Sequence, residues 1–286
     1  RTARGASEPR DPQAMMRHLA TIAERPVLDV SPFDQPIPIA SMELLRTGRN
    51  FVVRVRARDG SEGLSVPNAM HFVHTYPIFV NRVAPFFVGQ DARRLEPLLG
   101  ELYRHDDNYK YQGLPLWVCV AAAEFAVLDL LGKRCGRFVG DLLGGVQRRE
   151  IAVYRASGNR GNTTSEEIAY LKRIVSESGA KALKFRLGGR MSKNADSLPG
   201  RTEALIPLAR ETFCPEMTLY ADSNSSYDVN EAIRIGRLME KFNYAFYEEP
   251  CPFDHLEETR AVADALSIPV AGGEQDSEPL YGPTYL

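Results

Sequence analysis

Three acidic residues end three successive predicted strands, and together they could hold a metal ion. Asp222 follows MTLYA, Glu248 follows YAFY and Glu274 follows PVAGG, at equal intervals of 26 residues. One βα unit of a barrel has about 25 to 30 residues, so this spacing predicts three carboxylates at one height on neighbouring strands. They would repel one another without a hard cation between them, and all-oxygen ligation suits Mg²⁺. Any one acid alone would fit a helix cap or a solvated loop charge.

Two cations lie on the strand before these acids, within KALKFRL. Alternation along a strand sends Lys184 and Arg186 to one face and Phe185 to the other, so both cations are expected beside the metal site. Simple charge balance with the acids is the alternative, because buried charges need partners. Asn224 lies two residues after Asp222. It would point the same way if the strand continues, and it could bind substrate; an ordinary loop asparagine is the alternative.

The elements that must position these side chains alternate regularly after residue 145. The strands are IAVYRA, KALKFRL, MTLYAD, YAFYEE and IPVAGGE. The helices between them are expected to begin at a capping box of Thr164 and Glu167, near Glu203, at Asp228 with Glu231, and at Asp254 with Glu257. Five such βα units predict a parallel sheet with helices outside it, either doubly wound or part of a barrel. In a barrel the chemistry lies at the carboxyl ends of the strands.

The first half of the chain has a different pattern, with strands and helices in separate blocks. FVVRVRARDGSEG alternates apolar and polar residues up to a turn at Asp59-Gly60, which predicts an antiparallel hairpin. A long apolar helix is expected from Leu116 to Leu131, closed by Gly132. We therefore expect an N-terminal arm over residues 1–30, an α+β domain over 31–145 and a barrel domain over 146–286.

The composition is that of a soluble globular protein, with 286 residues, 44% of them hydrophobic and 25% charged. A formal net charge of -2 excludes nucleic acid and anionic membrane surfaces as expected main partners. Glu124 and Asp129 interrupt the longest apolar stretch, so we expect no membrane span. Four cysteines without a CxxC pair fit a reducing compartment, and the cytoplasm is the default location. The chain begins at Arg1, which is also compatible with a processed leader.

These motifs, in this order, resemble the enolase superfamily in its mandelate racemase and muconate lactonizing branch. The resemblance rests on the helix VAAAEFAVLDLLGKRCGRFVGDLLGG, on ALKFR, and on the acids in YADSN, YEEP and GGEQ. It implies an α/β fold, a modified (β/α) TIM-type barrel with an N-terminal α+β capping domain that closes over the substrate. It also implies that Asp222, Glu248 and Glu274 bind Mg²⁺ and that Lys184 and Arg186 occupy the two basic positions of the second barrel strand.

The same resemblance implies abstraction of the α-proton of a carboxylate substrate, giving an enediolate that the metal and nearby cations stabilise. Here Lys-x-Arg replaces the usual Lys-x-Lys, and Arg186 stays protonated in nearly any environment. A base on that face is therefore not expected. We predict Lys184 and Arg186 as catalytic residues, with Arg186 as an electrostatic or hydrogen-bonding partner of the substrate. This favours a one-sided reaction, the elimination of water from a sugar acid, over two-base racemisation.

Only twelve residues follow Glu274, and they contain no further βα unit, whereas closing eight strands would need three more. We therefore expect the barrel to be C-terminally incomplete in this chain and the catalytic base to lie beyond Leu286. A racemase, epimerase or cycloisomerase is the alternative enzyme. An inert enolase-like binding or scaffold protein is the alternative from another class. The expected partners are a small carboxylate substrate and, by analogy with related barrels, further copies of the chain.

Overall fold

The computed structural model describes residues 12–23, 25–107 and 113–275. The chain divides into two compact units, with a boundary between Arg149 and Glu150. Each unit has its own apolar core, one built around helix α5 and the other around a parallel sheet.

The first unit contains one antiparallel sheet and several helices. Its strands are β1 (Ile39–Thr47), β2 (Asn50–Ala57) and β3 (Glu62–Ser65), in the spatial order β1-β2-β3. Its α-helices are α1 (Pro12–Ala23), α2 (Ala69–Ile78), α3 (Ala84–Phe87), α4 (Leu95–Arg104), α5 (Leu114–Cys135) and α6 (Val139–Leu142). A π-helical turn at Phe79–Val83 joins α2 to α3. The stretch predicted as an N-terminal arm, residues 1–30, therefore includes a helix, α1.

Strand β2 has the alternation that its sequence predicts. Phe51, Val53, Val55 and Ala57 are buried, and the residues between them are partly exposed. The buried face packs against α5, where Gly63 of the adjacent strand lies so close to the helix that a Cβ atom would overlap its backbone. The predicted hairpin is thus confirmed, and its apolar face forms one wall of the core.

Helix α5 is longer than predicted. It continues to Cys135 and ends at Gly136, which adopts the left-handed conformation that commonly terminates helices. Gly132, the predicted end, lies inside the helix, where a Cβ atom would be 2.9 Å from the Arg137 carbonyl oxygen. By length and composition alone α5 could cross a membrane. More than half of its apolar window is buried inside the protein, as in a core helix.

The second unit is a series of strands and helices in strict alternation. Its strands are β4 (Arg155–Ala156), β5 (Ala182–Arg186), β6 (Thr218–Asp222), β7 (Phe246–Glu248) and β8 (Val270–Ala271), and its helices are α7 (Thr164–Ser178), α8 (Arg201–Thr212), α9 (Val229–Lys241) and α10 (Leu256–Ala265). The sheet has the order β4-β5-β6-β7-β8, and every neighbouring pair is parallel. Successive strands are therefore neighbours, and their carboxyl ends share one edge of the sheet.

Three local predictions in this unit are wrong. The capping box of α7 is one residue earlier, since Thr163 accepts from the N–H of Glu166 and the Glu166 carboxylate accepts from the N–H of Thr163. Helix α10 begins after His255, with no side-chain cap from Asp254. The strand predicted as IAVYRA is only Arg155–Ala156, because β4 pairs with β5 alone within the described residues and its upstream part has no ladder partner.

Candidate metal centre

The three strand-end acids converge at the carboxyl edge of the parallel sheet. Asp222 and Glu248 are the last residues of β6 and β7 and lie opposite each other in the ladder. Glu274 follows β8 by three residues. One carboxylate oxygen from each of the three lies within 4.8 Å of the others. The arrangement therefore offers three oxygen ligands to a single point.

Burial differs among the three acids. Asp222 is fully buried, Glu248 is partly exposed and Glu274 is exposed. The Oδ1 atom of Asp222 accepts a 2.8 Å hydrogen bond from the backbone N–H of Asn224. Its Oδ2 atom is in contact with the Arg186 guanidinium but accepts no hydrogen bond of good geometry within the described structure. An incompletely satisfied, buried carboxylate oxygen among two further carboxylates fits a hard divalent cation such as Mg²⁺.

Lys184 and Arg186 lie beside these acids, on the same face of β5. Lys184 Nζ donates to both carboxylate oxygens of Glu248, at 2.8 and 2.6 Å, and lies 3.7 Å from Asp222 Oδ2. Arg186 forms an ion pair with Asp222. Phe185 points to the opposite face, where its ring packs edge-on against Tyr244. Arg186 thus faces an acid of the adjoining strand β6, and Lys184 faces an acid of β7, the next strand along.

Asn224 lies beyond the end of β6, so the strand does not continue to it as the prediction required. Its backbone is left-handed, with φ of 40°. Even so, the side chain turns to the same cluster. The Oδ1 atom accepts from Arg160 at 2.7 Å and from Arg186 at 3.1 Å, and Nδ2 donates to Glu249 at 3.0 Å. Asn224 therefore links two cations to a further buried acid.

Arg160 and Glu249 are not among the site residues predicted from the sequence. Arg160 lies in the loop that follows β4. Loops after barrel strands lie at the functional edge, so this position could have indicated a role. Glu249 is the second acid of YEEP and is 4% exposed. Burial raises the pKa of Glu249, the negative charge of Glu274 and Glu248 raises it further, and the hydrogen bond from Asn224 opposes this rise.

The sequence matches two family profiles that together cover most of the chain. Residues 22–144 match the mandelate racemase / muconate lactonizing enzyme N-terminal domain, and residues 166–279 match the enolase C-terminal domain-like family. The second match includes Asp222, Glu248 and Glu274. The first match corresponds to the first compact unit of the structure, and the second match corresponds to the second unit.

Individual relatives agree with these matches. The D-galactarolactone cycloisomerase of Agrobacterium fabrum is 28% identical over 250 residues, and the match covers 84% of this chain and 61% of that protein. The L-talarate/galactarate dehydratase of Salmonella typhimurium is 25% identical over 83% of this chain and 59% of its own length. This chain thus spans about three fifths of the length of both relatives.

A solved structure has the same architecture. It is the mandelate racemase/muconate lactonizing protein from Paracoccus denitrificans complexed with magnesium, with a TM-score of 0.75 and 28% identity. The alignment covers 84% of this chain and 65% of that one. The matches confirm the expected fold class, a barrel-type α/β domain with an N-terminal α+β capping domain.

Proposed function

The chain belongs to the enolase superfamily, in its mandelate racemase and muconate lactonizing branch, and on that premise we propose that it is a Mg²⁺-dependent lyase. The proposed reaction removes the α-proton of a sugar-acid carboxylate and eliminates water. The observation that carries the proposal is the cluster of three strand-end carboxylates within 4.8 Å of one another, with Lys184 and Arg186 beside it.

In this proposal Asp222, Glu248 and Glu274 hold the metal ion. When bound, Mg²⁺ supplies a Lewis acid that stabilises negative charge developing on the substrate carboxylate. The ladder fixes Asp222 and Glu248 opposite each other, so these two ligands are positioned before a cation binds. Preorganised groups of this kind need no rearrangement during the reaction.

Lys184 and Arg186 orient and stabilise the substrate anion rather than remove its proton. Arg186 stays protonated in proteins, so it cannot act as a base. Lys184 Nζ donates to both oxygens of Glu248 and lies 3.7 Å from Asp222 Oδ2. Both residues therefore contribute positive charge to one side of the site. A one-sided elimination is compatible with this arrangement, whereas two-base racemisation would need a base on that side.

The test is a screen of aldonic and aldaric acids with the purified full-length protein and Mg²⁺. A 2-keto-3-deoxy acid should form with a productive substrate, and semicarbazide absorbance measures it. Chelation with EDTA should abolish the reaction and added Mg²⁺ should restore it. The absence of a 2-keto product from every acid, with a protein that binds Mg²⁺, would contradict the lyase.

An isomerase is the second candidate, because the relative that is 28% identical over 84% of this chain is a cycloisomerase. An isomerase would exchange the α-proton with solvent and release a product of unchanged composition. Mass spectrometry after incubation in D₂O separates the two candidates. Deuterium uptake without loss of water supports the isomerase, and loss of water supports the lyase. Stabilisation by Mg²⁺ without any exchange would instead favour a binding protein.

A further inference from the structure

Arg160 occupies a fixed position at the functional edge of the sheet, outside the group of three acids and two cations. It lies in the loop between β4 and α7. Arg201, only 2% exposed, holds this loop on both sides of Arg160. Its guanidinium donates to the carbonyl oxygens of Asn159 and Asn162, at 3.2 and 2.7 Å, and to that of Arg186 at 2.9 Å. The loop is thereby tied to the end of β5, where the proposed site lies.

The charge of Arg160 is not neutralised within the described residues. No carboxylate there lies within ion-pair distance of it, and its hydrogen-bond acceptors are the Asn224 amide oxygen and the Gly188 carbonyl. Burial lowers the pKa of Arg160 to about 10, and the positive charge of Arg186, Arg190 and Arg201 contributes to this effect. A half-buried cation among cations is costly unless an anion binds it.

The position of Arg160 differs from that of the cations at the metal site. Lys184 and Arg186 are engaged by Glu248 and Asp222. Arg160 is separated from those acids by Asn224, whose Oδ1 atom it shares with Arg186. Within the described part of the chain its Nε and Nη2 atoms donate hydrogen bonds and its Nη1 atom does not, so Nη1 is a donor without a protein acceptor there. An anion bound there would be a different group from the carboxylate at the metal ion.

We propose that Arg160 binds a second, terminal carboxylate of the substrate, so that the protein prefers aldaric acids, which carry two carboxylates, over aldonic acids, which carry one. This inference rests on the proposed sugar-acid function and adds a substrate class to it. A planar guanidinium matches a carboxylate with two parallel hydrogen bonds. Because hydrogen bonds from Arg201 already hold the loop in place, ligand binding costs little conformational entropy.

The experiment compares paired ligands of the same configuration: galactarate with galactonate, glucarate with gluconate, and mannarate with mannonate. Thermal unfolding of the full-length protein with Mg²⁺ is followed at increasing ligand concentration, and the shift in midpoint gives an apparent affinity. In the pair that binds best, we expect the diacid to bind at least about tenfold more tightly, a difference of about 1.4 kcal/mol. This readout does not depend on turnover.

Three variants test whether Arg160 causes the preference. Arg160→Gln should reduce the ratio of the two affinities to within about twofold. Arg160→Lys keeps the charge but loses the planar guanidinium that forms two parallel hydrogen bonds, so it should give an intermediate ratio. Arg173→Gln removes the same charge from the exposed surface of α7 and should leave the ratio unchanged. The wild-type ratio is informative even if Arg160→Gln does not fold.

The outcomes separate this inference from the proposed function. If sugar acids bind the wild-type protein without preference for the diacid, or if Arg160→Gln retains the preference, the role of Arg160 is overturned and the proposed function stands. If no sugar acid of either class stabilises the protein in the presence of Mg²⁺, the proposed function itself is overturned, and this inference falls with it.

Discussion

Charge is divided unevenly among the five ionisable side chains of the proposed site. Three carboxylates and two cations leave one negative charge in the cluster. A divalent cation would change the net charge of the cluster from one negative to one positive, and a substrate carboxylate would neutralise that positive charge. The same residues thus favour first a metal ion and then a monoanionic group. This order follows from Coulomb attraction in a partly buried site.

Asp222→Asn tests the metal site directly. The substitution removes a fully buried charged ligand, and we expect Mg²⁺ affinity to fall by at least about tenfold, since even the loss of outer partners of metal ligands costs about 10- to 100-fold. The Mg²⁺-dependent shift in the thermal unfolding midpoint measures this. Asp264→Asn, on the exposed surface of α10, is the matched control. Equal Mg²⁺ responses in the two variants would contradict the assignment.

Lys184→Gln should separate metal binding from turnover. The Lys184 ammonium competes with a cation for both oxygens of Glu248, so its removal should leave Mg²⁺ affinity unchanged or increase it. Loss of a group that stabilises the developing charge should lower kcat by about 10²- to 10³-fold. Titration with Mg²⁺ and steady-state kinetics measure the two effects. A large loss of Mg²⁺ affinity would show that Lys184 supports the ligands instead.

At the scale of elements, short strands are sufficient to place the acids. Strand β7 has three residues and β8 has two, yet the parallel ladder brings Asp222 and Glu248 opposite each other. Glu274 lies three residues beyond β8 and is exposed. The backbone therefore fixes two of the proposed ligands firmly and the third through a short loop.

The capping box of α7 gives a prediction about an element. Thr163→Ala removes the side chain that accepts from the Glu166 N–H, and loss of such a cap costs about 1 kcal/mol of the free energy of unfolding. Thr164→Ala is a matched control, because Thr164 is the first residue of the helix and makes no cap. Urea denaturation measures both. A larger loss for Thr164→Ala would place the helix start one residue later.

At the scale of the whole molecule, each unit has its own apolar core. In the parallel-sheet unit, hydrogen bonds and ion pairs also join helices to loops. Glu240 on α9 is the clearest of these. Its carboxylate accepts from the backbone N–H and the hydroxyl of Ser267, and from the Arg237 guanidinium. Burial alone would raise the pKa of Glu240, but these hydrogen bonds outweigh burial and lower it to about 2.

This lowered pKa predicts how stability depends on pH. The folded-state pKa of Glu240 is below the usual value, so its contribution is complete above about pH 4.5 and is lost as the pH falls towards 2. Glu240→Gln should cost about 1.5 to 3 kcal/mol at pH 7, the range for hydrogen bonds to charged groups. The cost should shrink below pH 4.5. Urea denaturation from pH 7 to 3.5 tests this, with Glu211→Gln of α8 as control; a constant difference would contradict it.

The sequence predicted most of the architecture because its signals are local and periodic. The alternation in β2 and the equal spacing of Asp222, Glu248 and Glu274 correspond to the observed hairpin and to the observed convergence of the acids. Helix ends were less predictable. Thr163 and Thr164 are identical in type, and only the backbone conformation shows which of them caps α7.

From the sequence alone one can predict that three acids and two cations meet at the carboxyl edge of a parallel sheet, because strand alternation and a constant βα repeat fix both face and height. The groups that surround them become known from the three-dimensional fold. Arg160 and Asn224 are 64 residues apart in the chain, yet they are joined by a hydrogen bond. Such contacts depend on how loops from different βα units pack together, and no short-range pattern in the sequence encodes that packing.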